Sequence, residues 1–118
     1  MGADIHIKVK TKPSFEGIDE SIISEDKPNV FYYKDPYSDF CLARVIGKSY
    51  WAEFDLNPKE FLIELSKITD EEIQKYVEEK FAMTNATVRH DICEWFKMKR
   101  DYLKRLVEAD IEDVSYWI

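Results

Sequence analysis

The chain has 118 residues, 45% hydrophobic and 14% aromatic, which is enough apolar side chain to fill one core and too little for two packed domains. Twenty-four acidic residues against seventeen basic leave a formal charge of −7, opposing nucleic-acid backbones and anionic membranes. Few glycines and prolines, no apolar run near the roughly 20 residues of a membrane span, and no secretory pattern after Met1 exclude linkers, spans and export signals, so the expected setting is cytoplasmic.

Residues 3–11 alternate apolar and polar, the period of a half-buried strand. Ile5, Ile7 and Val9 then face a core, with Asp4, His6, Lys8 and Lys10 on the opposite face. Pro13 and Gly17 interrupt the pattern, and the acidic stretch 19–26 with Ile22 and Ile23 reads as a short strand or one helical turn. Asn29, Val30, Phe31, Tyr32 and Tyr33 predict a second strand, stopped by a turn at Lys34-Asp35-Pro36. Ser38 is placed to cap a helix to about Ile46, where Phe40, Leu42, Ala43 and Ile46 recur at helical spacing and Gly47 is the stop. Residues 49–54 read as a short strand or an aromatic loop.

Asn57-Pro58 opens a helix with Phe61, Leu62, Leu65 and Ile68 as its apolar stripe. Thr69 followed by Glu72 is a capping-box signature for the next helix, through Ile73, Tyr76, Val77 and Phe81. Thr84-Asn85 breaks it. A long helix then runs to about Val107, with Ile92, Trp95, Phe96, Tyr102, Leu103 and Leu106 on one face, and the tail 111–118 is apolar enough to dock on the body. These parts sum to a single α+β domain over residues 1–118, a small N-terminal antiparallel sheet packed against several C-terminal helices.

Charge is unevenly spread. Residues 89–105 hold six basic and three acidic side chains, so an acidic body carries one basic helix. Cys41 and Cys93 are expected as reduced thiols, read as small core residues or, for Cys93, as a metal ligand.

Asp4 and His6 stand two apart on one strand face, a spacing that lets a carboxylate and an imidazole share a divalent metal. His90, Cys93 and Glu94 supply further zinc-type ligands. If the long helix includes His90, its ring points away from the apolar stripe into solvent. If Asp91 is the N-cap and Glu94 closes a capping box, His90 lies in a loop and can turn toward the sheet. The expectation is a structural zinc held by Asp4, His6, His90 and either Glu94 or Cys93, pinning the sheet to the helical half. Catalytic signatures are thin: the sequence has no Gly-rich phosphate loop, no Gly-x-Ser-x-Gly, no His-Glu-x-x-His and no Cys-x-x-Cys. Tyr32, Tyr33, Tyr37, Tyr50 and Trp51 suit an interface or a core, and the core is the expected place.

The opening Met1-Gly2-Ala3-Asp4-Ile5-His6 resembles that of small phage and prophage proteins beginning Met-Gly-x-Asp-Ile-His. Residues 33–40 followed by Leu42 and Ala43 also resemble the aromatic-rich segment of that family, so the resemblance covers about the first fifty residues. What it implies is a setting: small acidic phage proteins are often inhibitors of host defences, anti-CRISPR proteins among them. The expected function is a phage-encoded binding protein whose partner is a host protein, a CRISPR effector nuclease such as Cas9, with no direct contact to nucleic acid. The alternatives are a metal-dependent hydrolase acting on a nucleotide or nucleic acid, and a phage structural or assembly protein.

Overall fold

In the computed structural model, which describes residues 2–36, 38–48, 53 and 55–117 and their side chains except at 2, 3, 35, 36, 116 and 117, the alternating first segment forms strand β1 (Gly2–Val9). Ile5, Ile7 and Val9 are buried while Asp4 and Lys8 are exposed, as the period of two requires. Three further strands complete the sheet among the described residues: β2 (Glu25–Lys27), β3 (Val30–Pro36) and β4 (Ile111–Trp117). Their order is β2-β3-β1-β4 and every pairing is antiparallel. The acidic stretch holds a short strand, β2, but at residues 25–27 and after Ile22 and Ile23, and in place of a helical turn it has a tight turn closed by Ile22 N–H to the Asp19 carbonyl (3.0 Å). Pro28 and Asn29, the latter at φ +65°, make the tight turn from β2 to β3.

The C-terminal tail does more than dock: it is edge strand β4, with Ile5 opposite Tyr116 and Ile7 opposite Val114. A bulge between Lys8 and Val9 sets Val9 opposite Ile111 and Lys8 opposite Asp113, leaving Glu112 as the extra residue. Ile111 and Val114 therefore both pack on the core although they stand three apart.

The segment expected as a helix from Ser38 is shorter and tighter, a 3₁₀ helix over Leu42–Ile46. Ser38 Oγ instead accepts from Phe40 N–H at 3.2 Å, forming a turn before it. Gly47 does end it, at φ +77°, a left-handed conformation that a Cβ disfavours. The expectation for 49–54 falls, but for Glu53, outside the described residues, as do Tyr37, Tyr50 and Trp51.

Three α-helices follow among the described residues, α1 (Pro58–Ser66), α2 (Asp70–Lys80) and α3 (Ala86–Glu108), each opened by a side chain that satisfies a first-turn N–H. Asn57 Oδ1 accepts from Glu60 N–H at 2.9 Å, and Asn85 Oδ1 from Val88 N–H at 2.9 Å. Thr69 and Glu72 form the reciprocal capping box, 3.1 Å in both directions. Both α1 and α2 pack on α3. Phe61, Leu62, Leu65, Ile73, Val77, Phe96, Leu103 and Leu106 meet Ile5, Ile7, Phe31 and Tyr33 in one core, which leaves the other sheet face open to solvent. No helix among the described residues is long and apolar enough to cross a membrane.

Candidate interaction surface

Strand β1 carries Asp4 and His6 on the open sheet face. Register sets His6 between Tyr32 and Ser115, and Asp4 opposite Lys34. The His6 and Tyr32 rings meet edge to face, with centroids 4.4 Å apart. A hydrogen bond with the Asp26 carboxylate, with burial and the Asp4 charge adding to it, raises the Tyr32 phenol above its ordinary pKa.

His90, Cys93 and Glu94 are elsewhere. Because Asn85 caps α3, residue 90 lies inside the helix, Asp91 is not the N-cap, and His90 is exposed. The three line a groove of about 320 Å³ between α2 and α3, together with Gln74, Glu78 and Lys97. Glu94 pairs with Lys97 at 3.5 Å, and burial pushes the pKa of the Cys93 thiol up. Cys41 is a second, buried thiol at the head of the 3₁₀ helix.

The candidate zinc ligands thus lie on two elements, Asp4 and His6 on β1, and His90 with its alternatives Cys93 and Glu94 on α3. Among the described residues no three His, Cys, Asp or Glu side chains come together in a group that could hold a metal ion.

A different feature emerges along α3. Val88, Ile92, Trp95, Lys99, Tyr102 and Leu106 fall on one face of the helix at spacings of three and four. At the C-terminal end that face is core: Leu106 and Tyr102 are buried, and the Tyr102 hydroxyl donates to the Tyr32 carbonyl at 2.8 Å. Lys99 marks the margin, its ammonium bonded to the Lys34 carbonyl at 2.7 Å and lying over the Tyr33 and Trp95 rings. Toward the N-terminus the same face comes out of the core. Trp95, Ile92 and Val88 there line an open cleft of about 350 Å³ with Phe40, whose ring stacks on Phe81 at 5.1 Å and meets Trp95 at 6.4 Å. Phe40 keeps 45% of its surface exposed and Val88 40%. Asp91 is the charged residue on this cleft. Sequence periodicity puts Phe40 and Trp95 on core-facing stripes; Trp95 does pack against the core, while Phe40 stays exposed, since nothing in periodicity says where along a stripe its cover ends.

The acidic residues form the outer surface. None of the Asp and Glu side chains described is buried, whereas Arg100 is a buried cation, 7% exposed. Residues 16–26 bring Glu16, Asp19, Glu20, Glu25 and Asp26 to the surface with no basic residue among them. No family model, curated protein or solved structure matches the chain.

Proposed function

We propose that this chain acts by protein–protein contact, as a phage-encoded inhibitor that covers the basic, nucleic-acid-binding surface of a host defence nuclease. The observation that carries the reading is the acidic segment 16–26, five exposed carboxylates with no basic residue between them in the sequence, on a protein of charge −7. A surface built to attract phosphates attracts such a segment for the same reason, by complementary potential that speeds encounter and excludes like-charged competitors. The resemblance of the opening motif to phage proteins supplies the setting.

Cas9 loaded with guide RNA is the first nuclease to test, by cleavage of a labelled target DNA. Inhibition should rise with the protein up to one equivalent and weaken with added salt. Replacing Glu16, Glu20 and Glu25 together by Lys should raise the inhibitory concentration about tenfold or more. Full inhibition by the charge-reversed protein would sink the electrostatic part of the reading. Cleavage unaffected by the parent at many equivalents would remove Cas9 as the target, and the same assay then passes to other defence nucleases.

A further inference from the structure

We infer that the cleft between Phe40 and the N-terminal half of α3 is a docking site for a protein segment that inserts one large aliphatic or aromatic side chain and flanks it with Lys or Arg. The inference rests on the reading that this chain works by binding, and its site is Phe40 with residues 88–95 of α3, not the carboxylates of residues 16–26.

Three observations carry it. Val88, Ile92 and Trp95 continue the face of α3 that is buried at Tyr102 and Leu106, so one apolar stripe is fully covered at its C-terminal end, partly covered at Trp95 and Ile92, and exposed at Val88. An exposed Val88 beside partly buried Ile92 and Trp95, at i, i+4 and i+7, with the Phe40 ring as a wall, is a geometry that receives an apolar side chain from a partner. The open cleft holds about 350 Å³, room for one large side chain. Asp91 is the charged side chain that lines the cleft, while the nearby Lys99 ammonium is engaged by the Lys34 carbonyl and the Tyr33 and Trp95 rings, so the anion selects a cation on the partner. The same charges argue against a second copy of this chain, which would bring another −7 and another Asp91 to the contact.

The test uses the full chain and three synthetic peptides of equal length: an amphipathic Leu/Lys helix, its Leu/Glu counterpart, and a Ser/Lys peptide carrying charge alone. Binding is read from amide shifts in nitrogen-labelled protein. The Leu/Lys peptide should bind saturably at one per chain and move the signals of Phe40 and residues 88–95. Val88→Asp should weaken that binding about tenfold or more. Asp91→Lys should abolish the preference for Leu/Lys over Leu/Glu. Both substitutions are at exposed helical positions, so an unchanged melting temperature verifies the fold. Equal binding of Ser/Lys and Leu/Lys, or indifference to Val88→Asp, would overturn the inference. Self-association abolished by Val88→Asp would overturn it too, by assigning the cleft to a second copy. Failure of nuclease inhibition with the peptide results intact would remove the inhibitor reading and leave the cleft standing.

Discussion

Arg100 offers the sharpest test of how the helices are held together. Its guanidinium is buried on α3, yet its Nη1 donates to the Ile68 carbonyl at 3.1 Å and to Asp70 at the start of α2, while Nη2 and Nε reach Asp101 at 3.0 and 3.1 Å. Arg100→Leu withdraws a donor from the Ile68 carbonyl, costing about 1–3 kcal/mol. The carboxylates are largely exposed, at 64% for Asp70 and 43% for Asp101, so solvent screening holds each pair to under about 1 kcal/mol. Leucine regains part of this by burying apolar surface, and the net loss should be about 2–3 kcal/mol. With a urea slope of about 1.5 kcal/mol/M, the unfolding midpoint followed by far-UV circular dichroism should fall by about 1–2 M. The hydrogen bond from Arg100 holds the Asp70 carboxyl below its ordinary value, so its contribution is complete above about pH 4 and disappears as the pH falls through the lowered pKa. Asp70→Asn should therefore cost under about 1 kcal/mol at pH 7 and nothing at the acid end. A midpoint for Arg100→Leu within about 0.3 M of the parent, or an Asp70→Asn cost that persists in acid, would refute the account.

Gly47→Ala meets no atom within 4 Å, so its cost is backbone strain alone at φ +77°, about 1 kcal/mol by urea unfolding; a neutral result would mean that the turn relaxes. His6→Ala removes an edge-to-face contact on a solvated face and should cost about 0.5–1 kcal/mol. Excess chelator should leave the parent's melting temperature in place, and a large drop would restore the zinc pin between sheet and helix. Burial first, and then the Asp39 charge, push the Tyr76 phenol up to about 12 while its hydroxyl donates to the Asp39 carbonyl at 2.7 Å. The unfolded phenol ionises near 10, so stability held below that pH should fall between about pH 10 and 12. Tyr76→Phe should flatten that part of the profile, and an unchanged slope would place the loss at another group.

Local chemistry was the legible part of the chain. Asn57, Thr69 with Glu72, and Asn85 open helices because each satisfies its own neighbouring N–H groups, and that information is confined to four residues. β4 was missed because its bulge separates Ile111 and Val114 by three and erases the alternation that identified β1. Arg100 looked like one more surface cation in a basic helix; only the placement of Ile68 and Asp70 beside it makes it a buried anchor. The zinc expectation needed β1 and α3 to bring four side chains together, which depends on strand register and helix phase, neither readable from spacing; among the described residues no group of three such ligands forms.

Register also dictates the order of assembly. β1 needs β4 along one edge, and Asp4 opposite Trp117 joins positions about a hundred residues apart, a closure entropy on the order of 4 kcal/mol. The helices depend on nearer contacts and can form while that edge is still open. On the ribosome, β1 emerges first and waits longest. A nascent chain halted short of residue 111 would therefore hold β1 against β3 on one side and leave its other backbone edge open, as a template for chaperones or for another chain's β1.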